Sequence, residues 1–455
     1  MVLKNIVIVS KDGLITSIRF FIFDRQKRTK YDRIIKVNFL EVSMKKHNCL
    51  VGQSGGPTAA INASLAGVIA KCLESEQFDN IYGAVNGIKG LLALQYMDLK
   101  KEFDTPEKLQ QLRQTPAMFL GSCRYKLPNY DEDPDVYKEI FNIFERLEIT
   151  DFFYIGGNDS MDTVLKLSGY AKMMNKDVKI IGIPKTIDND LMGTDHTPGF
   201  GSAAKYVATS MLEIAHDSMI YQLESITIVE IMGRNAGWLT AASALARNGY
   251  NTAPDLIYLP EVVFDKEKFI EAIAEVFKHK RGVVIAVSEG IRDKDGNYLD
   301  QDSRYTKKDA FGHIIHSGTA KVLETIAFQA FHCKVRSIEL NVLQRCAMHI
   351  ASQCDNDESF LIGQEAVNHA LAGETGKMMV FLRKDQKEYE IEIDAIDVLN
   401  VANYEKKVPI EWINEAGNDI KQELYDYLYP LILGEVHVNY QNGIPQYLST
   451  AHLEQ

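Results

Sequence analysis

Residues 178–190 read Val178-Lys179-Ile180-Ile181-Gly182-Ile183-Pro184-Lys185-Thr186-Ile187-Asp188-Asn189-Asp190. The apolar run 178–183 predicts a buried strand, and Pro184 ends it because proline cannot donate to a strand ladder. In an open α/β sheet, ligands bind in the loops beyond the carboxyl ends of strands. A lysine beside two acids at such a point indicates a loop that handles an anion and holds a base. A solvated turn is the alternative interpretation of these residues taken alone.

A second unit of strand, glycine loop and helix lies near residue 50. Residues 49–52 predict the end of a strand, and Gln53-Ser54-Gly55-Gly56 is a glycine loop. Pro57 suits the first position of a helix, which apolar spacing continues to Ala70. Because backbone N–H groups face outward at a helix N-terminus, this arrangement can bind an anion. A tight structural turn is the other interpretation, since no complete Walker or dinucleotide fingerprint is present.

A third unit repeats this pattern. Residues 151–155 predict a strand that leads into Gly156-Gly157-Asn158-Asp159-Ser160, and a helix is predicted over 161–174. The alternative role for Asp159 or Ser160 is to cap that helix.

The alternation of strands and helices continues to about residue 290 and defines the fold class. Helices are predicted over 201–221, 238–247 and 266–279, and strands over 226–231, 256–260 and 283–287. Such alternation predicts an α/β protein with two Rossmann-like lobes, whose mostly parallel sheets are covered by helices. The active site is expected in the cleft between the lobes. Beyond residue 375 an antiparallel pair is predicted, formed by 378–382 and 389–393.

Composition limits the possible partners. The chain has 455 residues, 46% hydrophobic and 25% charged, with a net charge of −12. This acidic balance argues against nucleic acid or an anionic membrane as a partner. The six cysteines form no CxxC pair, which is typical of reduced thiols in a cytoplasmic protein.

Residues 1–43 differ from the rest because they carry nine Lys or Arg against four Asp or Glu. Two apolar runs around Lys11-Asp12-Gly13 predict a weak hairpin. We expect these residues to be an appended or mis-started extension and Met44 to begin the functional protein.

Together the loops supply the groups that phosphoryl transfer requires. Amide donors and cations neutralise developing charge, and a carboxylate accepts a hydroxyl proton. The amides are those of 54–56, Gly156 and Gly157, the cations are Arg124, Lys185, Arg234, Arg336 and Arg345, and the acids are Asp159, Asp188, Asp190 and Glu289.

These loops, in order and at suitable spacing, resemble the motifs of the phosphofructokinases from about residue 48 to 350. The motifs are Gly52-Gln53-Ser54-Gly55-Gly56-Pro57, Phe119-Leu120-Gly121-Ser122-Cys123-Arg124, Gly156-Gly157-Asn158-Asp159-Ser160, Pro184 to Asp190, Met232-Gly233-Arg234 and Ser288-Glu289-Gly290. Residues up to Gly443-Ile444-Pro445-Gln446-Tyr447 resemble the end of the bacterial pyrophosphate-dependent branch.

The resemblance implies reversible transfer of a phosphoryl group to the 1-hydroxyl of fructose 6-phosphate. Asp188 would be the base, in a catalytic set that also contains Lys185, Asp159 and Thr186. The donor phosphates would contact Gly55, Gly56, Arg124 and Gly157. The sugar phosphate would contact Thr186, Asp190, Met232, Gly233, Arg234, Glu289, Arg336 and Arg345.

Two positions bear on the donor. ATP users of the family usually have glycine where this chain has Asp159, and they tend to have glycine in place of Lys185. A carboxylate at 159 would repel a nucleotide's α-phosphate and fill its volume. A lysine at 185 can stabilise the transferred phosphoryl group without a nucleotide. The pair therefore favours pyrophosphate.

The chain also departs from the family. Asn158 stands where many relatives have a magnesium-binding aspartate, so Mg²⁺ is expected on Asn158 or Asp159 and the pyrophosphate. Val342 replaces a histidine of the sugar-phosphate clamp, and Ser225 replaces a bridging arginine. In relatives some clamps cross a subunit interface, which implies a homodimer or homotetramer.

The predicted order along the chain is an extension (1–43), a donor lobe (44–200), a sugar-phosphate lobe with crossing segments (201–375) and a carboxyl-terminal region packing on the lobes (376–455). The alternatives are an ATP-dependent phosphofructokinase and a non-catalytic regulatory subunit or metabolite-binding protein of the same fold. A dinucleotide-binding oxidoreductase is excluded because no GxGxxG motif joins a strand to a helix.

Overall fold

The computed structural model describes residues 47–220, 222–299, 318–384 and 388–453, and the backbone of four short strands elsewhere. In chain order the strands are β1 (Val7–Lys11), β2 (Leu14–Arg19), β3 (His47–Gln53), β4 (Phe78–Ala84), β5 (Tyr96–Asp98), β6 (Ile149–Gly156), β7 (Lys179–Pro184), β8 (Ser225–Ile231), β9 (Leu256–Tyr258), β10 (Gly282–Ser288), β11 (Lys307–Lys308), β12 (Ile314–Ile315), β13 (Lys334–Glu339), β14 (Lys377–Arg383), β15 (Ile391–Asp397), β16 (Tyr440–Gln441) and β17 (Ile444–Pro445). The α-helices are α1 (Ile61–Ser75), α2 (Gly87–Leu92), α3 (Leu99–Glu102), α4 (Pro106–Arg113), α5 (Pro134–Arg146), α6 (Asn158–Met173), α7 (Phe200–Met219), α8 (Trp238–Ala241), α9 (Lys266–Phe277), α10 (Thr319–Phe331), α11 (Gln353–Leu371) and α12 (Gln422–Leu428).

The chain divides into two units, Met1–Lys46 and His47–Gln455. In the first unit β1 pairs antiparallel with β2, which confirms the predicted hairpin. The expected start at Met44 stays a prediction.

The second unit contains a sheet of seven strands in the order β15-β14-β7-β6-β3-β4-β5. The five inner strands run parallel, and the edge strands β5 and β15 run antiparallel to their neighbours. The side chains of β3, β6 and β7 are buried over most of their length because helices cover both faces of the sheet. Three of the predicted loops therefore leave the same edge of this sheet.

A second sheet has four parallel strands in the order β13-β8-β10-β9. Helix α7 packs against one face, in a core that includes Val207, Met211 and Val284. Helices α9 and α10 cover the other face. The predicted α/β class, with mostly parallel sheets covered by helices, is confirmed.

Several predicted boundaries were wrong. Helix α1 begins at Ile61 rather than Pro57, because residues 54–60 form the loop between β3 and the helix. The Asn62 side chain accepts a hydrogen bond from Gln53 at the end of β3. The helix predicted over 238–247 is α8 followed by a 3₁₀ segment, Ala242–Ala246. The second strand of the carboxyl-terminal pair is β15, which starts two residues later than predicted. The turn residues 385–387 lie outside the described residues.

Two later segments pack on the first sheet. Strands β14 and β15, from the region predicted as 376–455, extend this sheet beside β7. Helix α11, from the range predicted as the sugar-phosphate lobe, packs along α1. A Cβ on Gly67 would lie 2.0 Å from the Phe360 carbonyl oxygen, so this close approach requires glycine. The predicted boundaries between the lobes, at residues 200 and 375, stay a prediction.

Candidate active site

A cavity of about 730 Å³ lies where the carboxyl ends of strands from both sheets meet. A smaller cavity of about 200 Å³ adjoins it on the side of the glycine loop. Eleven of the predicted site residues line the larger cavity: Gly56, Asn158, Asp159, Lys185, Thr186, Asp188, Asp190, Met232, Arg234, Glu289 and Arg345. Gly55 and Gly157 line the smaller one. The structure thus gathers most of the predicted residues into one cleft.

The loop after β7 places a lysine and an aspartate deep in this cleft. The Lys185 side chain is buried, and its Nζ donates to the Gly56 carbonyl oxygen at 2.6 Å. Burial lowers the pKa of Lys185 to about 8, against an opposing effect of the Asp188 charge. Burial also raises the pKa of Asp188, and the charges of Lys185 and Arg234 oppose that rise. A carboxyl group and an amine that shift each other's pKa therefore lie side by side.

Hydrogen bonds within the loop and hydrogen bonds to α11 hold this loop in place. The Asp188 N–H donates to Thr186 Oγ1 at 3.1 Å, and Thr197 Oγ1 donates to the Thr186 carbonyl at 2.8 Å. Behind the loop, the ring nitrogens of buried His196 lie 2.9 Å from Asp195 Oδ1 and 2.8 Å from Glu358 Oε2. Burial alone would lower the pKa of His196, but these two carboxylates raise it overall. The loop is thereby tied to α11.

Two further acids in the cleft are held partly protonated. Burial, with the neighbouring Asp188 and Glu405 charges, raises the pKa of Asp190 to about 7. Burial and the Asp188 charge raise the pKa of Glu289 to about 8, while the Gly233 N–H at 3.4 Å opposes the rise. Near pH 7 Asp190 and Glu289 are therefore at least half protonated, so they place less than two full negative charges beside Asp188.

These acids make the stability of the ligand-free protein depend on pH. Since the folded-state pKa of Glu289 lies above its unfolded value, the folded state holds the extra proton between about pH 4.5 and 8. The stabilisation of the folded state that this proton gives is complete below that window. As pH rises through the window it is lost, and the free energy of unfolding falls by at most roughly 1.4 kcal/mol per pH unit. We expect thermal melting across pH 5–8 to show a shallower fall for Glu289→Gln than for the parent. Parallel curves would contradict this assignment.

Buried amides join the glycine loop to the loop that carries Arg124. Gln53 Nε2 donates to Asn62 Oδ1 at 3.1 Å, and Gln53 Oε1 accepts the Leu120 N–H at 2.9 Å. Ser122 Oγ donates to the Gly55 carbonyl at 2.7 Å. Gly55 has φ +82, a conformation that favours glycine, and a Cβ there would lie 3.1 Å from Lys185 Nζ. The two loops form one rigid wall of the smaller cavity.

The first turn of α6 forms the opposite wall. Gly157 is the N-cap residue without a side-chain cap, so the orphan N–H groups of the helix are available to an anion. Exposed Asp159 lines both cavities. The Asn158 side chain is engaged elsewhere: its Oδ1 accepts the Asn403 N–H and its Nδ2 donates to the Tyr404 carbonyl, both at 2.9 Å.

Two arginines offer unsatisfied donors to the larger cavity. Within the described ranges, Nε of Arg234 and Nε of Arg345 are buried without a hydrogen-bond partner. Both side chains line the cavity, and an anion there would satisfy them. Burial, then the nearby charge of Arg124, lowers the pKa of Arg345, which places Arg124 close to the site although it is exposed. Met232 lines the cavity, and the N–H of neighbouring Gly233 donates to Oε1 of Glu289, which also lines it.

Arg336 does not join this cleft. It lies on β13 opposite Thr227, near the amino end of β8, and its Nη1 is 3.0 Å from Asp217 Oδ2. The parallel strands therefore carry it to the far edge of the sheet. The substrate-binding role predicted for Arg336 would require a second copy of the chain.

The sequence interpretation missed the segment Asn403–Glu405, which lines the larger cavity. It follows β15 and is joined to the loop after β7 by an antiparallel bridge between Leu191 and Glu405. Neighbouring Lys406 is half-buried, and its Nζ donates to the Asp195 carbonyl at 2.6 Å. In sequence, Glu405-Lys406-Lys407 has only the charge pattern of a solvated turn.

Fold and site define an α/β protein whose cleft combines carboxyl groups, a buried lysine, two arginines and a glycine loop beside a helix N-terminus. The phosphofructokinase family model matches residues 48–367. The chain belongs to the phosphofructokinase family. Among the helices of the described ranges, none has the length and apolar character to cross a membrane.

Similar proteins share most of the chain. It is 41% identical to a pyrophosphate–fructose 6-phosphate 1-phosphotransferase of Halomonas elongata, over 89% of this chain and 96% of the relative. It is 37% identical to the protein of that name from Methylococcus capsulatus, over 90% and 97%. A crystal structure of a pyrophosphate-dependent phosphofructokinase from Nitrosospira multiformis matches with TM-score 0.79 and 36% identity, over 88% and 95%.

Proposed function

We propose that the protein is an enzyme of glycolysis that transfers a phosphoryl group reversibly from pyrophosphate to the 1-hydroxyl of fructose 6-phosphate, giving fructose 1,6-bisphosphate and phosphate. The observation that carries this proposal is the pair formed by buried Lys185 and half-buried Asp188 between a donor loop and two arginines with unsatisfied donors. The names of the relatives described above support it.

The donor side is shaped for a small inorganic group. Its cavity of about 200 Å³ is smaller than the 300–1,000 Å³ typical of pockets for drug-sized ligands. Asp159 and Tyr125 line it, so bulk and negative charge oppose a nucleotide. Lys185 reaches the glycine loop and can stabilise the charge of the leaving phosphate.

The reaction follows from these placements. The carboxylate of Asp188 accepts the proton of the sugar's 1-hydroxyl as that oxygen forms a bond to the transferred phosphorus. The bond from this phosphorus to the bridging oxygen of pyrophosphate breaks, and the leaving phosphate takes the electron pair beside Lys185. Arg234 and Arg345 bind the sugar phosphate through the donors that are otherwise unsatisfied. Protonated Glu289 can donate a hydrogen bond to a sugar hydroxyl.

Mg²⁺ fits the donor side in its usual form, with one protein carboxylate, phosphate oxygens and water. Bound there, it neutralises charge on the pyrophosphate. Of the two predicted ligands we retain Asp159, because both ends of the Asn158 amide already have partners. No cluster of three or more His, Cys, Asp or Glu side chains in the described ranges forms a site that holds a metal by itself.

A coupled assay with fructose 6-phosphate and magnesium tests the proposal by comparing pyrophosphate with ATP. We expect bisphosphate to form with pyrophosphate and little with ATP. Product from ATP alone would support the ATP-dependent alternative, and no product from either donor would support a non-catalytic protein of the same fold.

Shortening Asp159 should weaken the discrimination between donors. In Asp159→Gly the charge and bulk that oppose an α-phosphate are removed, so we expect the ratio of kcat/KM for pyrophosphate to that for ATP to fall by about tenfold or more. Asp162→Gly is no suitable comparison because Asp162 pairs with Lys166 at 2.7 Å. Asp177→Asn, on an exposed loop beyond α6, is the control and should leave the ratio unchanged. An unchanged ratio in Asp159→Gly would contradict the assigned selectivity.

We further propose that the enzyme acts in the cytoplasm as a homodimer or homotetramer. The six cysteines are all free, which suits a reducing compartment. Arg336 and Asp217 line a surface cavity of about 460 Å³ outside the cleft of their own chain, where a second copy could use them. Sedimentation of the protein with and without Arg336→Ala tests this arrangement, and a monomeric, fully active parent would refute it.

A further inference from the structure

A short polar segment, the wall segment, lies on one side of the cleft. Its residues, Asn403–Glu405, line the larger cavity and are exposed to solvent. Buried Val401 and Ala402 precede this wall segment, and half-buried Lys406 follows it. The ends of the segment are therefore packed, while its middle is exposed beside the cavity that Lys185 and Asp188 also line.

Two asparagines hold the middle of the wall segment. On the donor side, Asn158 makes two hydrogen bonds of 2.9 Å to the backbone of Asn403 and Tyr404. On the sugar side, Asn235 Nδ2 donates to Glu405 Oε1 at 2.8 Å. The Lys406 N–H also donates to the Asp190 carbonyl at 2.7 Å, which joins the segment to the catalytic loop. The segment thus connects both lobes across the cleft.

The Asn158 contacts require an amide. Its Nδ2 is a donor to the Tyr404 carbonyl and its Oδ1 is an acceptor for the Asn403 N–H. A carboxylate could accept but could not donate, so aspartate at this position would face the Tyr404 carbonyl with a like charge. An acid in the first turn of α6 would nevertheless favour the helix itself. The choice of asparagine is therefore explained by the wall segment and not by the helix.

Resting on the proposed function, we propose that Asn158 and Asn235 are positioning residues that latch the wall segment, and that the latched segment keeps water from the phosphoryl group under transfer. With the wall closed, the phosphorus of pyrophosphate receives the sugar oxygen and one phosphate leaves. With the wall open, water attacks the same phosphorus and two phosphates are formed, so donor is consumed without product.

The test uses Asn158→Asp in the full-length protein, with Mg²⁺, pyrophosphate and fructose 6-phosphate, measuring phosphate and bisphosphate in the same reaction. We expect the phosphate in excess of one per bisphosphate to rise roughly two- to tenfold over the parent, the range that loss of one hydrogen bond produces. The control is Asn175→Asp, the same substitution just beyond the other end of α6, where the side chain is exposed. It should leave the excess unchanged.

A rescue separates latching from folding. Asn235→Asp should increase the excess phosphate because it faces the Glu405 carboxylate. Adding Glu405→Gln should reverse the increase, since an amide at 405 can donate to the new carboxylate. The wall proposal is overturned if Asn158→Asp keeps the excess at the parent level, including the case where it only lowers the Mg²⁺ requirement as a metal ligand would. It is also overturned if the Asn175 control raises the excess equally.

Hydrogen exchange of the Asn403 amide, measured without substrates, tests the latch independently of the reaction. We expect faster exchange in Asn158→Asp than in the parent, and equal rates would overturn the latch. A parent protein that forms no bisphosphate from pyrophosphate would instead refute the proposed function.

Discussion

Asp188→Asn should lower turnover about 10²- to 10⁴-fold, the usual contribution of a general base. Asparagine has nearly the same size as aspartate but cannot accept the proton of the sugar's 1-hydroxyl. The residue lies in the cleft beside Lys185 and Arg234, whose charges act on its carboxyl group. Steady-state kinetics with pyrophosphate and fructose 6-phosphate measure the loss. Sugar binding should be retained because the arginines are untouched.

A matched control is Asp151→Asn. Asp151 is an acid whose pKa is raised by burial, as that of Asp188 is, but it lies on β6 outside the cleft and accepts from Thr150 Oγ1 at 2.6 Å. Its replacement should leave turnover within about twofold of the parent. Full activity of Asp188→Asn would refute the assigned base, and equal losses in both variants would point to a folding effect.

Lys185→Met should lower kcat/KM about 10²- to 10³-fold, which is the range for removing one stabilising donor from a transition state. Methionine fills much of the same volume but carries no charge and cannot donate to the Gly56 carbonyl, at 2.6 Å in the parent. The buried lysine contacts the glycine loop directly, so its loss removes one of the charges that stabilise the leaving phosphate. Initial rates at varied pyrophosphate measure the effect.

The pH profile distinguishes this role from a structural one. Since burial lowers the pKa of Lys185 to about 8, the charged amine of the free enzyme is lost as pH rises through that value. The kcat/KM of the parent should therefore fall above about pH 8, and it should fall at low pH as Asp188 is protonated. Lys185→Met should keep the acid limb and lose the basic limb near pH 8. Lys172→Met, at the exposed end of α6 outside the cleft, is the control and should retain both limbs. Deprotonation of Glu289, whose pKa is also about 8, would give a basic limb of its own, so the comparison is made in the Glu289→Gln background. A basic limb near pH 8 that survives Lys185→Met in that background would contradict this assignment.

The parts of the site that follow strands could be predicted from the sequence. Asp188, Lys185 and Glu289 each come after an apolar run, and parallel strands bring their carboxyl ends to one edge. The local sequence therefore predicts both the strand and the edge of the sheet at which its loop lies. The same reasoning located the glycine loop, although its helix begins four residues after Pro57.

The remaining parts depend on contacts between residues far apart in the chain. Asn158 meets Asn403 only because β14 and β15 return the chain beside β7, and no local pattern encodes that return. The position of Arg336 depends on the direction of β13, which carries it away from Arg345 although the two are nine residues apart. Periodicity and composition describe segments, whereas these placements are set by tertiary packing.

The late return of the chain has a consequence for synthesis. The catalytic loop is completed by Phe381, which accepts the Asp195 N–H at 2.8 Å, and by Lys406, which donates to the Asp195 carbonyl. At 5–20 residues per second, roughly 10–40 s separate the translation of Lys185 from that of Lys406. A sheet that formed during this time would lack β14 and β15 and leave the edge of β7 unpaired. Because unpaired strand edges favour pairing with other chains, we expect the nascent chain to be most prone to aggregation in this interval.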